Sequence, residues 1–238
     1  MAAVFADKAL LRKGMLRTLR ALTEEQLSEQ SAAVFNVLRQ QKFYQEARSV
    51  GCYLSMKKGE LRTGAIVSDL LQSNKALYTP YLPPAASQAD QDTPLMEMLR
   101  LYSPADLAAC PLDKWGILDP GTVRRDAGHD GERREDVNDT SAPALDLILV
   151  PGVAFDAACN RVRVAPPTDN PDPQLGRGKA HYDRFLASYS STRGKPLLIA
   201  LALSPQLVDT PVPVTPSDFV LDGVVSPSGL VWRDGAQR

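Results

Sequence analysis

Short apolar runs of strand length recur along the chain and constrain its fold more than any other feature. Four of them are "SVGCYLSM" (49–56), "KALYTPYL" (75–82), "LDLILVPGVAF" (145–155) and "LLIALALS" (197–204). Two further strands are predicted in "LMEMLRLYS" (95–103) and around "DFVLDGVVS" (218–226). Strands that are apolar on both faces and alternate with helices are typical of a mainly parallel sheet covered by helices. The predicted fold class is therefore α/β.

Helices are predicted before and between these strands. Apolar residues recur at helical spacing between Ala6 and Leu22, which indicates an amphipathic helix. Thr23 and Gln26 match a T-x-x-Q capping box, so a second helix is expected to begin there. Another helix opens at Thr63, between two predicted strands, and completes a βαβ unit.

Composition excludes several classes of function. With 238 residues and 44% hydrophobic residues, the chain is long enough to bury a sizeable core. A formal net charge of −1 provides no global field toward nucleic acid or an anionic membrane, and an RNA-binding module lacks its basic stripe and aromatic pair. Three cysteines and two histidines do not match a zinc pattern.

The length and the cysteine usage favour one cytoplasmic domain. We expect a single domain over 1–238, with surface insertions near 84–94, 124–143 and 162–174. The run 124–143 is rich in charge and poor in apolar residues, which predicts a flexible surface segment. No apolar run approaches the ~20 residues that span a bilayer. The basic amphipathic start of the chain leaves organelle import as the alternative to a cytoplasmic location.

A glycine-containing segment, "QLGRGKAHYDRFL" (174–186), follows the apolar run that ends at Phe155. Open α/β sheets bind ligands beyond the carboxyl ends of their strands, so this segment is placed where a site is expected. Gly176 and Gly178 allow the backbone to approach an anion, and Arg177 adds charge. Asp183 on the following helix suits Mg²⁺ beside a phosphate. The segment lacks the P-loop pattern, however, and taken alone such residues more often form a charged surface turn.

Two further features point to ligand binding. Lys8 and Arg12 are spaced i, i+4, so like charges repel on one helix face unless an anion lies between them. The alternative is a solvated basic face. Glu60 follows a predicted strand, where loop acids contact ligands, although an acid near the start of a helix is commoner.

Together, these motifs resemble the 5-formyltetrahydrofolate cyclo-ligase family. The resemblance rests on "LILVPGVAFD", "LGRGKAHYD", the leading helix, "YLSM…GELRT", "MEMLRL" and "WGILDP", in this order. It implies a three-layer α/β/α fold and closure of 5-formyltetrahydrofolate to 5,10-methenyltetrahydrofolate with ATP and Mg²⁺. In that chemistry the formyl oxygen is phosphorylated, N10 attacks the activated carbon, and phosphate leaves. Such phosphoryl transfer depends mainly on positioning and charge neutralisation.

The resemblance also implies roles for individual residues. Catalytic roles fall to Arg177, Lys179 and Tyr182. ATP contacts fall to Lys8, Arg12, Arg161, Gly176, Arg177, Gly178, Lys179, Ala180, His181 and Tyr182. Substrate contacts fall to Arg12, Leu54, Glu60, Met96, Trp115, Arg177 and His181. Mg²⁺ ligands are Asp183 and Asp218.

The chain departs from the family pattern within the predicted site. Family members read N-R-L-G-R-G-K without interruption, whereas Arg161 is separated here from Leu175 by residues 162–174. Arg161, Arg163 and Gln174 are therefore alternative phosphate contacts. His181 replaces a tyrosine, which adds pH dependence near neutrality or merely preserves a ring.

These departures keep a second function open. The alternative to an active enzyme is a non-catalytic folate- or nucleotide-binding homologue with the same fold. We expect a monomer whose partner is 5-formyltetrahydrofolate, with or without a polyglutamate tail, and neither nucleic acid nor membrane.

Overall fold

The computed structural model describes residues 2–83, 96–113, 116–163, 181–216 and 218–236. These residues form strands β1 (Ser49–Cys52), β2 (Ala76–Tyr81), β3 (Glu97–Leu101), β4 (Leu147–Val150), β5 (Ala154–Phe155), β6 (Arg161–Val162), β7 (Leu197–Leu201), β8 (Gly223–Ser226) and β9 (Gly229–Trp232). The central sheet has the order β3-β2-β1-β4-β7-β8-β9, and β5 and β6 form a separate hairpin. The strands from β2 to β8 in this order pair in parallel, whereas β3 and β9 pair antiparallel at the edges. The predicted mainly parallel sheet is confirmed.

Helices α1 (Ala2–Ala21), α2 (Glu24–Leu38), α3 (Lys42–Glu46), α4 (Gly64–Gln72), α5 (Pro104–Ala108) and α6 (His181–Arg193) surround the sheet. The predicted capping box begins α2: the Thr23 side chain accepts from the Gln26 amide, and the Gln26 side chain accepts from the Thr23 amide. Helix α4 connects the parallel strands β1 and β2, so the predicted βαβ unit is confirmed. Within the described ranges, no helix combines the length and apolar character needed to cross a bilayer.

Both faces of the sheet are buried. Leu147 and Leu149 of β4 belong to one core cluster, which includes residues of α2 and α4. Ile148 and Val150 alternate with them and belong to a second cluster, which includes residues of α6. Because successive strand residues point to opposite faces, helices cover the sheet on two sides. The fold is therefore a three-layer α/β/α arrangement.

The charged run 124–143 is integrated into the fold. Its Arg134 side chain has no exposed surface, and its guanidinium contacts the equally buried carboxylate of Asp106 on α5 at 2.5 and 2.6 Å. Val137 is also fully buried. The expectation of a flexible surface segment is wrong for these residues, because a buried acid offsets the charge that made the run look solvated. The predicted insertion at 84–94 lies outside the described residues, as does most of 162–174.

The ion pair between Arg134 and Asp106 gives a stability prediction. Arg134→Met leaves the Asp106 carboxylate buried without its guanidinium, so we expect the free energy of unfolding to fall by about 3–5 kcal/mol. Urea denaturation measures this change. The control is Lys42→Ala, since the Lys42 and Glu46 side chains are 84% and 66% exposed and their pair contributes about 0.5 kcal/mol or less. Equal effects of the two substitutions would contradict the prediction.

Candidate active site

The topology creates a crevice at the carboxyl ends of β1 and β4. From β1 the chain proceeds outward to β2 and β3, and it then returns to β4 on the other side of β1. These neighbouring parallel strands therefore lead into loops that diverge, which is the usual ligand position in open α/β sheets. The loop after β1, the hairpin after β4 and the start of α6 supply the side chains there.

Gly152 makes room for the first of these side chains. A Cβ at this position would lie 2.4 Å from the Phe155 ring and 3.1 Å from Cγ of Arg161. Glycine is thus required by close packing at the end of β4. The Arg161 guanidinium passes beside it and donates to the Pro151 carbonyl oxygen at 3.0 Å. Pro151 and Gly152 of the sequence motif therefore provide a hydrogen-bond acceptor and the space for the Arg161 side chain.

Asp156 holds the hairpin in place, and the sequence reasoning did not identify it as a site residue. Its carboxylate accepts from the amides of Ala158 and Asn160 at 3.0 and 2.9 Å, and from the Asn160 side chain at 2.9 Å. It also accepts from the Val212 amide at 2.8 Å. These bonds tie the turn before β6 to the loop that leads to Asp218. The available signal was an aspartate that opens a tight turn.

Five charged side chains form a continuous ion-pair chain in the crevice: Lys8, Asp218, Arg163, Asp183 and Arg161. Lys8 Nζ contacts Asp218 Oδ2, and Arg163 Nη2 lies 3.1 Å from Asp218 Oδ1. Arg163 Nη1 contacts Asp183 Oδ2, and Arg161 Nη2 lies 3.0 Å from Asp183 Oδ1. The Lys8 side chain is 5% exposed, so the alternative of a solvated basic face is wrong for this residue.

The surroundings shift the pKa values of Asp218, Arg161 and the neighbouring Arg12. Burial alone would raise the Asp218 pKa, but hydrogen bonds from Lys8 and Thr215 lower it overall, so this acid is ionised near neutrality. Burial lowers the pKa of Arg161, although Asp183 opposes that shift. Burial also lowers the pKa of Arg12, whose Nε donates to the Arg163 carbonyl oxygen at 3.0 Å. Positive charge is therefore concentrated in a poorly solvated place.

The two acids fit a magnesium ion only in part. Asp183 Oδ2 and Asp218 Oδ1 both face the same guanidinium, so one cation reaches both carboxylates. In the described part of the chain, no group of three or more His, Cys, Asp or Glu side chains is placed to hold a metal. Mg²⁺ is usually held by one or two carboxylates together with phosphate oxygens and water. The acids therefore suit a metal that arrives with a phosphate.

A closed loop after β1 carries Glu60. Thr63 Oγ1 donates to the Tyr53 carbonyl oxygen at 2.8 Å and accepts from the Ser55 amide at 3.1 Å. The Met56 amide donates to Glu60 Oε2 at 2.7 Å. Burial raises the Glu60 pKa to about 7, and the Met56 amide opposes this shift. Glu60 is thus able to donate or accept a proton near neutral pH.

Tyr182, at the start of α6, links this loop to the ion-pair chain. Burial raises its pKa well above the ordinary value, and the charges of Cys52 and Glu60 add to the shift. The phenol is therefore neutral, and its buried oxygen has no hydrogen-bond partner among the described residues. Its ring lies 5.8 Å from the Arg161 guanidinium carbon. A phenolic donor thus lies beside Arg161 and is influenced by the charge of Glu60.

The remaining predicted site residues have varied positions. Leu54 packs against the first core cluster at the start of the Glu60 loop, and His181 begins α6. Met96 is only 2% exposed within the second cluster, so its contact with a substrate stays a prediction. Gln174, Trp115 and the loop residues Gly176, Arg177, Gly178, Lys179 and Ala180 lie outside the described residues.

The raised pKa of Glu60 predicts a pH-dependent stability. Because the folded-state pKa of about 7 exceeds the ordinary 4.5, the native state binds more protons in this interval, and stability falls as pH rises through it. Glu60→Gln cannot ionise but keeps an acceptor for the Met56 amide. We expect this variant to gain on the order of 2 kcal/mol relative to the wild type between pH 5 and pH 8. Urea denaturation of both proteins at pH 5 and pH 8 measures the stability difference between them. The same stability difference at both pH values would contradict the raised pKa of Glu60.

Comparisons with known proteins agree with the motifs. A family model described as "5-formyltetrahydrofolate cyclo-ligase family" matches residues 4–227. The "5-formyltetrahydrofolate cyclo-ligase, mitochondrial" of Arabidopsis thaliana is 32% identical over 240 residues, covering 96% of this chain and 76% of that protein. The "5-formyltetrahydrofolate cyclo-ligase" of Mus musculus is 31% identical over 228 residues, covering 94% and 97%.

The fold also has a solved counterpart. The NMR structure of Aquifex aeolicus 5,10-methenyltetrahydrofolate synthetase superposes with a TM-score of 0.67 at 23% identity, covering 97% of this chain and 95% of that one. The α/β fold class predicted from the apolar runs is confirmed by this likeness. Since the family model spans most of the sequence and two relatives match nearly all of it, the chain belongs to the 5-formyltetrahydrofolate cyclo-ligase family.

Proposed function

We propose that this chain closes 5-formyltetrahydrofolate to 5,10-methenyltetrahydrofolate with the conversion of ATP to ADP and phosphate. Family membership supports the reaction class. The observation that carries the proposal is the charge balance of the crevice. Within the ion-pair chain and its neighbour Arg12, four cations face only two carboxylates, those of Asp183 and Asp218.

A surplus of buried positive charge indicates an anionic ligand. Unpaired buried charge is costly, and the lowered pKa values of Arg12 and Arg161 express that cost. The triphosphate of ATP supplies the missing negative charge. In the proposal, Lys8 and Arg161 hold phosphate oxygens, while Arg177 and Lys179 add the contacts that the family resemblance implies. Mg²⁺, held by Asp183 and Asp218, would neutralise further phosphate charge.

The chemical steps require mainly charge neutralisation and positioning. The formyl oxygen attacks the γ-phosphorus, the bond to the ADP oxygen breaks, and the formyl carbon becomes electrophilic. N10 then attacks this carbon, its proton is lost, and the carbon–oxygen bond breaks with release of phosphate. Lys179 stabilises the transferring phosphoryl group, and cations around it stabilise the negative charge that develops.

Glu60 and Tyr182 supply the folate side of the proposed site. The Glu60 carboxylate contributes to the raised pKa of Tyr182, which supports a role for both groups at one ligand. A carboxyl with a pKa of about 7 can donate to or accept from a pterin ring, and Leu54 provides an apolar neighbour. The loop that carries Glu60 and the ion-pair chain are therefore proposed to bind the formylated folate and the phosphates, respectively. We propose a cytoplasmic monomer; import into an organelle is the competing proposal, given the word "mitochondrial" in the Arabidopsis relative's name.

The proposed reaction is tested by direct turnover. Purified protein is mixed with 5-formyltetrahydrofolate and MgATP, and formation of the methenyl product is followed by its near-ultraviolet absorbance. We expect product to appear only when both substrates are present, with ADP in equal amount. Ligand binding by calorimetry without product would support the non-catalytic homologue instead.

The role of Lys179 has its own prediction. Lys179→Ala removes stabilisation of the transferring phosphoryl group, so kcat is expected to fall about 10²- to 10³-fold while KM for the folate changes little. Steady-state kinetics with saturating MgATP separate the two constants. Lys42→Ala is the matched control, because Lys42 is 84% exposed on α3 and pairs only with Glu46 among the described residues. An unchanged kcat for Lys179→Ala contradicts the assigned role.

A further inference from the structure

In each of the two carboxylates of the ion-pair chain, one oxygen binds groups other than Arg163, and the other oxygen faces Arg163. Asp183 Oδ1 accepts from Arg161 Nη2 at 3.0 Å and from the Phe219 amide at 3.3 Å. Asp218 Oδ2 accepts from Lys8 and from both the amide and the hydroxyl of Thr215. The other two oxygens, Asp183 Oδ2 and Asp218 Oδ1, have only the Arg163 guanidinium as a polar partner within the described ranges.

The contact of Arg163 with Asp218 is imperfect. Asp218 Oδ1 is buried and accepts no hydrogen bond from the described residues, although Arg163 Nη2 lies only 3.1 Å away. The attraction is therefore one of charge, without hydrogen-bond alignment. The Arg163 side chain is 19% exposed, whereas that of Arg161 is 3% exposed. Arg163 is thus the arginine of the ion-pair chain that is nearer to solvent.

The main chain at Arg163 is fixed independently of its guanidinium. Arg12 Nε on α1 donates to the Arg163 carbonyl oxygen at 3.0 Å. Residue 162, immediately before it, belongs to β6. The side chain is therefore able to change rotamer about an anchored backbone. The guanidinium takes no part in the hydrogen bonds of Asp183 Oδ1 and Asp218 Oδ2, so its movement does not break them.

We propose that Arg163 is a positioning residue that occupies the place of a divalent cation between Asp183 and Asp218 until nucleotide arrives. When Mg²⁺ enters with ATP, the metal takes the two oxygens that Arg163 releases, and the guanidinium turns to the nucleotide phosphates. This inference rests on the proposed function. Arg163 lies just where the sequence departs from N-R-L-G-R-G-K, so the exchange is a property of this chain beyond the family pattern.

The exchange makes the affinity for Mg²⁺ depend on whether nucleotide is bound. Without nucleotide, Mg²⁺ must displace a guanidinium that has no new partner, so the metal binds weakly. With nucleotide, the displaced guanidinium finds phosphate oxygens, with which arginine forms strong charge-assisted hydrogen bonds. Arg163 therefore couples metal binding to nucleotide binding and disfavours a metal bound alone.

The test is a titration of the nucleotide-free, full-length protein with Mn²⁺, followed by electron paramagnetic resonance. Arg163→Gln removes the competing charge, so we expect Mn²⁺ to bind roughly tenfold more tightly than to the wild type. Binding of ATP without metal is expected to weaken in the same variant, because a phosphate partner is lost. Arg163→Lys keeps the charge but not the fork that reaches both acids, and it should give an intermediate Mn²⁺ affinity.

Arg124→Gln is the matched control. Arg124 is 12% exposed and pairs with Asp126 at 2.6 Å in the segment after Gly116, so its loss should leave Mn²⁺ affinity unchanged. Thermal unfolding of each variant verifies that it is folded, and Arg163→Lys carries the test if Arg163→Gln is not. Unchanged or weaker Mn²⁺ binding in a folded Arg163 variant overturns the proposal, as does the absence of binding in every protein. If the wild type turns over but the Arg163 variants bind Mn²⁺ as the wild type does, the exchange is wrong and the proposed reaction stands. If the Arg163 variants bind Mn²⁺ more tightly but the wild type does not turn over, the proposed reaction is wrong and the exchange stands.

Discussion

The contact between Lys8 and Asp218 is the interaction on which the arrangement of the crevice depends. It joins α1 to a loop 210 residues later, and Arg163 continues the connection from Asp218 to α6. Each member of this ion-pair chain is poorly exposed, so removing one leaves a buried charge without compensation. The same contacts that fasten α1 and α6 to the hairpin therefore also concentrate the charges proposed to bind ATP. Stability and the proposed chemistry use one set of groups.

Local sequence signals were sufficient for much of the fold. The capping box at Thr23 satisfies helix-end amides within four residues, and the strands β1, β4 and β7 are apolar on both faces because helices cover both. Lys8, Arg161, Asp183 and Asp218 lie in one crevice, and their roles there stay predictions from the family resemblance. Their separation along the chain meant that no local pattern alone indicated the cluster. Motifs in the order of the family supplied that information.

Long-range pairing decided what the sequence did not indicate. Arg134 lies in a run that reads as solvated, and only the buried Asp106, 28 residues earlier, explains its position in the interior. The edge strand β9 has four residues and begins at Gly229, directly after a turn at residues 227–228, so it gave little periodic signal. Arg163 was one of three alternatives for a phosphate contact, and its actual partners were acids on other elements. For Arg134 and Arg163, the deciding partners are distant in sequence.

The hydrogen bonds of Asp156 have a consequence for how the family can diversify. Three of the four bonds close a turn within residues 156–160, ahead of Arg161 and Arg163 in the sequence, and the fourth joins this turn to the amide of Val212. Residues 162–174 separate Arg161 from Leu175 in the sequence, and lengthening a connection adds only slowly to its closure entropy. The turn that Asp156 closes is therefore compatible with chains of different length after Arg163, because its four bonds depend on residues 156–160 and 212.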